Sequence, residues 1–219
     1  MVTLYGVARS RASRPLWLLA EIGMDYRHEM VIQGYRLPDA KAADAPLNTA
    51  SAAYLAVNPQ GQIPCLTDGD LVLTESLGIT LYLAKRYGGD LGPRDLAEDA
   101  LMVQWALHAA TGIEGPALEI MYVQADGGAE TPEGQAAISV AAEKLRRPLK
   151  RLEAHLAGRD WLMGDRFTAA DINSAECIRY VAGHPTLLGE FPRLKDWLAR
   201  CQARPAFQAM WAMRMAEPA

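Results

Sequence analysis

The chain has 219 residues, half of them hydrophobic by type and 22% charged, with a formal net charge of −4. That is the composition of an ordinary globular protein, long enough for one large domain or two small ones, and its acidic balance gives no electrostatic footprint for nucleic acid. Three cysteines (Cys65, Cys177 and Cys201) without a C-x-x-C argue against a disulfide framework and fit a reducing compartment.

The first half alternates in character. Val2 to Tyr5 read as a short strand that begins at once and leaves no room for a signal peptide. Arg9 to Ser13 read as a polar loop, and Arg14 to Ile22 as an apolar helix with Pro15 in its first turn and Gly23 at its end. Tyr26 to Val31 alternate again as a strand. Residues 33–50 hold Gly34, Pro38 and Pro46 without a clean period and read as a loop leading to a short helix over Ala52 to Val57. From residue 63 come two strands, IPCLT and DLVLT, with Asp68-Gly69 as the expected hairpin turn. Thr74-Glu75-Ser76 then open a helix marked by Leu77, Leu81 and Ala84 at helical spacing. Thr74 or Glu75 is the expected cap, with Ser76 in the first turn.

Residues 88–95, GGDLGPRD, read as a linker, because three Gly and a Pro interrupt both periods. After it the chain is helical only. A helix over Ala97 to Gly112 carries Leu101, Trp105 and His108 on one stripe, and Gly112 and Gly115-Pro116 are expected to bend or break it before a segment reaching Gln124. Thr131-Pro132-Glu133 is a helix start, and the helix it opens holds Pro148 inside and ends at Gly158. Thr168 and Asp171 form a capping-box variant, with Phe167 in the staple position. Two more helices are expected over Arg193 to Ala203 and from Pro205 to about Met213. No run reaches the roughly 18 apolar residues that a membrane span requires, so no membrane partner is expected and the cytoplasm is the expected location.

Two places carry chemistry. At the start of the 76-onward helix, free N–H groups and a hydroxyl suit a carboxylate, while Glu75 suits an amine. Together they suit the zwitterionic end of an amino-acid-like ligand, although capping alone also explains them. At Ser10-Arg11-Ala12-Ser13, serines lie between a strand and a helix N-terminus, and either hydroxyl can donate to an anion there or merely satisfy loop groups. Arg9, Arg11 and Arg14 surround this loop and are expected to be solvated and orienting. Cys65 is expected to be buried and inert. The four histidines (His28, His108, His155 and His184) fall into no metal-ligand spacing, and no metal is expected. The basic run from Lys144 to Arg151 reads as the solvated face of a helix.

N-P-x-G-x-I-P over 58–64, the D-G hairpin, E-S opening a helix, S-R-A-S-R over 10–14 and F-T-A-A-D-I over 167–172 together resemble the cytosolic glutathione S-transferases. The 10–14 string is similar to the opening of the serine-type, theta-like and bacterial members. The resemblance implies a thioredoxin-like α/β domain of order βαβαββα over 1–87 and an all-α helical domain over 96–219. It implies glutathione as co-substrate, a cis peptide before Pro64, and glutathione held at Gln62, Ile63, Pro64, Glu75 and Ser76. Ser10 matches the residue that contacts the thiolate, with Ser13 and then Tyr5 as alternatives, and Arg14 matches the family's helix-start arginine, for which the resemblance implies a structural role. Gln62 stands where the family often carries Lys, Arg or Gln near the glycyl carboxylate and would be a neutral donor there, and Arg36 and Lys41 are the nearby basic candidates.

The implied reaction is attack of the glutathione thiolate on a small hydrophobic electrophile. Lowering a thiol from a pKa of about 8.5 by two units takes roughly 2.7 kcal/mol of preferential thiolate stabilisation, within reach of one charge-assisted hydrogen bond and a helix terminus. The electrophile is expected between the first domain and the long helix after the linker, against Met102, Trp105, His108 and Tyr122. A homodimer is implied as well. The same residues also fit glutathione-dependent peroxide or disulfide reduction, an isomerisation, or a non-catalytic binding module that kept the fold.

Overall fold

The structure, a computed structural model, describes residues 1–217. By its internal contacts the chain forms two compact units. The first is built on β1 (Val2–Tyr5), α1 (Ser13–Ile22), β2 (Arg27–Glu29), α2 (Ala52–Leu55), β3 (Cys65–Asp68), β4 (Leu71–Leu73) and α3 (Ser76–Tyr87). The sheet order is β2-β1-β3-β4, with β1 and β2 parallel and the other two pairs antiparallel. This is the thioredoxin-like order βαβαββα.

Each element follows from its residues. In α1, Leu16 to Leu19 are all buried, and the helix stops because Gly23 takes a left-handed φ of 71° and returns its N–H to the Leu19 carbonyl at 2.9 Å. Val2, Leu4 and Leu66 are buried where the strands pair, and Ile79, Leu83 and Ala84 bury one stripe of α3. The strands are shorter than their alternation predicts. Pro64 lies outside β3 because it has no N–H to give to a ladder, and β2 keeps only three paired residues. The hairpin turn is Gly69-Asp70 rather than Asp68-Gly69: Asp68 still pairs with Leu71, and Gly69 supplies the left-handed φ of 60°. The Asp68 carboxylate accepts from the Tyr82 and Tyr87 hydroxyls, which hold it below the usual carboxylate range.

The second unit, Gly88–Arg204, is helical throughout: α4 (Leu96–Ala109), α5 (Gly115–Ala125), α6 (Pro132–His155), α7 (Ala169–Ile178) and α8 (Pro192–Gln202), with short 3₁₀ turns. The bend or break expected at Gly112 and Gly115-Pro116 takes the form of a π-helical turn over Ala110–Glu114 that joins α4 to α5. Pro116 has no N–H to return to the turn before it, so the ladder there must be carried by other residues. Thr131 caps α6 by accepting from Gly134 N–H at 3.1 Å. The expected linker is pinned within its own unit. Arg166 donates to the carbonyls of Asp90 and Gly92 and pairs with Glu98.

The last helix, α9 (Pro205–Ala216), belongs to the first unit. Trp17 of α1 meets Phe207 edge-on at 4.9 Å, and Phe207 stacks on Trp211 at 5.6 Å. This is where the contact division departs from the expected 96–219 helical domain. The apolar stripe of α9 is complementary to α1, and periodicity says which face is buried without naming the neighbour. Among the described residues no helix is long and apolar enough to cross a membrane, and no group of three or more His, Cys, Asp or Glu is placed to hold a metal ion.

Candidate active site

The start of α3 is the most unusual helix terminus in the first unit. Glu75 is the only non-glycine among the described residues with a positive φ, at 66°. That conformation costs a residue with a Cβ of order 1 kcal/mol or more and marks a position held by its surroundings. Its carbonyl accepts from Ile79 N–H at 2.9 Å, so the backbone of Glu75 begins the helix while its carboxylate stays exposed. Ser76 is buried. Its hydroxyl accepts from Arg14 Nη1 at 2.7 Å, and its carbonyl accepts from Thr80 Oγ1 at 2.8 Å. Arg14 is only 2% exposed, so the solvated default does not hold for it and the structural role that the resemblance implied does: it is a buried cation linking α1 to the first turn of α3. Sequence spacing cannot show that link, because the partners are 62 residues apart.

The peptide bond Ile63-Pro64 is cis, as the resemblance implied. The loop before it is held by two residues that sequence reasoning passed over. Tyr54 Oη donates to the Gln62 carbonyl at 2.5 Å, and Asn58 Nδ2 donates to the same oxygen at 2.8 Å. Burial pushes the Tyr54 phenol up to about 12, so it keeps its proton as a donor. Asn58 was legible within the N-P-x-G string; Tyr54 carried no signal beyond its place in a short helix. The Gln62 side chain is exposed and Ile63 is half-buried against a cluster of Val31, Tyr54 and Cys65. Tyr5 packs into that cluster, 5.9 Å from the Tyr54 ring. Cys65 is fully buried, and burial pushes its thiol up to about 11.

The serine loop runs beside this turn. Gly6 makes the approach possible: a Cβ there would meet Ala12 Cβ at 3.0 Å and Ile63 Cβ at 3.4 Å, and its φ is 141°. The Gly6 carbonyl accepts from His28 Nε2 at 2.8 Å. Ser10 is partly exposed. Its hydroxyl donates to Val7 O at 2.7 Å and accepts from Ala12 N–H at 3.0 Å. Ser13 is fully buried at the start of α1, one residue from Arg14, and its N–H reaches the Ser10 carbonyl at 3.3 Å. Arg11 and Lys41 are exposed. Arg36 lines a 280 Å³ cavity with Val7, Met30, Ile32, Leu37, Pro46 and Glu217.

In the helical unit, Met102 is fully buried and Trp105 nearly so, while Tyr122 is exposed on α5. His108 donates from Nε2 to the Pro148 carbonyl at 3.2 Å, and burial lowers its pKa, as expected of a packed histidine. Trp105 lies against His155 (4.5 Å) and under the Arg151 guanidinium (5.2 Å), and it lines a 620 Å³ groove that does not include Met102, His108 or Tyr122.

A thioredoxin-like unit with a cis-proline turn, a carboxylate–hydroxyl helix start and a serine loop, followed by a helical unit, defines a two-domain, glutathione-type architecture. Comparison with known proteins gives the same answer. The family model of the glutathione S-transferase N-terminal domain matches residues 9–86, and that of the C-terminal domain matches residues 107–205. The chain is 33% identical to glutathione S-transferase 3 of Zea mays over 218 residues, covering 94% of this chain and 90% of the relative. Among solved structures, it resembles the theta class glutathione S-transferase of Xanthomonas axonopodis pv. citri with glutathione bound (32% identity, TM-score 0.74, 95% of each chain). It also resembles a glutathione transferase family member from Pseudomonas fluorescens with two glutathione bound (28% identity, TM-score 0.78, 95% of this chain and 91% of that one). The chain belongs to the glutathione S-transferase family and has the enzyme architecture of that family, with both of its domains.

Proposed function

We propose that this chain is a glutathione transferase of the serine type, close to the theta-like and bacterial members, in which a bound glutathione thiolate attacks a small hydrophobic electrophile. The observation that carries the reading is the α3 start. An exposed Glu75 carboxylate stands next to a Ser76 hydroxyl that is backed by the buried Arg14 cation. This arrangement is complementary to an ammonium and a carboxylate on one carbon, the γ-glutamyl end of glutathione. The Ser76 hydroxyl accepts from Arg14, so its own proton is directed to the ligand carboxylate. The turn at Gln62, Ile63 and Pro64, fixed by Tyr54 and Asn58, offers backbone groups to the cysteinyl part.

Ser10 is the proposed thiolate contact. It is partly exposed whereas Ser13 is fully buried, and its hydroxyl can turn its proton from Val7 O to sulfur while still accepting from Ala12 N–H. Met102, Trp105, His108 and Tyr122 remain the residues proposed for the electrophile, tested by alanine substitution and KM for that substrate alone. Assembly as a homodimer is part of the reading; exposed Leu71 and Val72 on the edge strand β4 are apolar surface that a partner would cover.

The test is the ultraviolet absorbance of thiolate in the glutathione complex, titrated with pH. Ser10→Ala is expected to raise the apparent thiol pKa by about one to two units and to lower kcat roughly 10- to 100-fold. Ser13→Ala is expected to leave that pKa unchanged. The opposite pattern assigns the role to Ser13, and no thiolate in the wild-type complex overturns the reading.

A further inference from the structure

The loop that carries Ser10 is fastened by a residue more than 200 positions away. The N–H groups of Ala8 and Arg9 both donate to the Glu217 carboxylate, one to each oxygen, at 2.7 Å apiece. The contact is reciprocated three residues earlier. Arg214 Nη1 donates to the Ala8 carbonyl at 2.7 Å, and Arg9 Nε donates to the Arg214 carbonyl at 3.0 Å. Glu217 is 8% exposed. The helix that presents it is itself tied to α1 through Phe207 and Trp17. The clasp therefore spans the Ser10 loop, with α1 at one end and α9 at the other.

Among the described residues the Ser10 hydroxyl bonds within its own loop, to Val7 O and Ala12 N–H. Its position thus depends on where the backbone of residues 7–12 lies, and Ala8 and Arg9 are the residues that the clasp fixes. A carboxylate suits this task better than an amide. Two adjacent N–H donors need two acceptors, and glutamine offers one acceptor and an NH₂ that faces a donor. Charge-assisted bonds to backbone N–H are also the stronger kind.

We propose that Glu217 is a positioning residue of the transferase reaction: it holds the Ala8–Arg9 backbone and through it sets where the Ser10 hydroxyl meets the thiolate, without touching substrate. This rests on the functional reading above. The test compares wild type with Glu217→Gln, Glu217→Asp and Glu217→Ala in the full chain. Glu217→Gln is expected to raise the apparent pKa of bound glutathione by about one unit and to lower kcat about tenfold, with KM for glutathione within about twofold. Glu217→Asp keeps two acceptors and is expected to fall between wild type and Glu217→Gln. Amide hydrogen exchange at Ala8 and Arg9 is expected to accelerate in Glu217→Gln and Glu217→Ala while α1 stays protected. If activity falls only as the melting midpoint falls, and the thiol pKa stays at its wild-type value, Glu217 is a stability anchor and the proposal is overturned. If wild type forms no thiolate, the functional reading fails instead, and the exchange rates alone then decide whether the clasp holds the loop.

Discussion

Two helix starts in this molecule are made of the same parts and turn them in opposite directions. At α7, Thr168 Oγ1 accepts from Ala170 N–H at 3.2 Å, and Asp171 closes the box by accepting from Thr168 N–H at 3.0 Å. Asp171 also takes Leu162 N–H and Trp197 Nε1–H, each at 2.9 Å. Every one of these groups is buried and turned inward. At α3, by contrast, the carboxylate of Glu75 is exposed on a left-handed backbone, and the Ser76 hydroxyl is backed by a buried arginine. A hydroxyl and a carboxylate at a helix N-terminus therefore do not define a role by themselves. The carboxylate that faces the core fastens the fold, and the one that faces solvent is the one proposed to receive a ligand.

The closed start should be the costlier one to break. Asp171→Ala leaves the Thr168, Leu162 and Trp197 donors buried without their acceptor, and is expected to destabilise the protein by about 3–5 kcal/mol in chemical denaturation. Burial also pushes the Asp171 carboxyl up to about 6, against the opposing effect of its donors. Because the folded value lies above the ordinary 3.8, the folded state holds the proton more tightly across that window. The stability linked to this proton is full below about pH 4 and is lost as pH rises through about 6. Asp171→Asn has no such proton, so its stability relative to wild type should improve between pH 4 and 6. Parallel denaturation curves for the two proteins across that range would remove the claim.

The closed start was also the more legible one. T-x-x-D with Phe167 before it names both partners of a local bond, three residues apart. The strand–helix order and the cis-proline turn were legible for the same reason, since each is written in a contiguous run. The open start was legible only in its outer layer. Glu75 and Ser76 are adjacent, but Arg14 comes from α1 and Tyr54 from α2, and nothing in a linear pattern brings them together. The packing of α9 on α1 was hidden likewise, since periodicity marks the buried face of the last helix and names no neighbour. The hairpin shows a finer limit. D-G-D contains two readable turns, and only the register of β3 on β4 selects Gly69-Asp70.

Between these extremes lies Gly6, which supports the side proposed to face the ligand without belonging to either helix start. An alanine there would meet the Ala12 methyl at 3.0 Å on a backbone with φ of 141°, a region that residues with a side chain rarely adopt. Gly6→Ala is expected to cost about 1–3 kcal/mol of stability. It should also push apart the serine loop and the Ile63-Pro64 turn, so glutathione affinity falls along with the melting temperature. Calorimetric titration at a temperature where the variant is fully folded separates the two effects. Unchanged affinity there would show that the two segments need not be this close.

The sharpest form of the comparison is a substitution expected to act with opposite signs on stability and binding. Glu75→Gly removes the Cβ from a left-handed position and so relieves backbone strain. Part of that gain is offset by the greater freedom of glycine in the unfolded chain, leaving roughly 0.5–1 kcal/mol of net stabilisation. The same change removes the carboxylate proposed to meet the ammonium of glutathione, and affinity should fall at least about tenfold. Glu75→Gln provides the control, since it keeps the strained backbone and removes only the charge: affinity falls and stability does not rise. At α7 no such split is available, because removing Asp171 can only destabilise. A Glu75→Gly protein that is less stable than wild type would mean that its carboxylate supports the fold, and the distinction between the two helix starts would be lost.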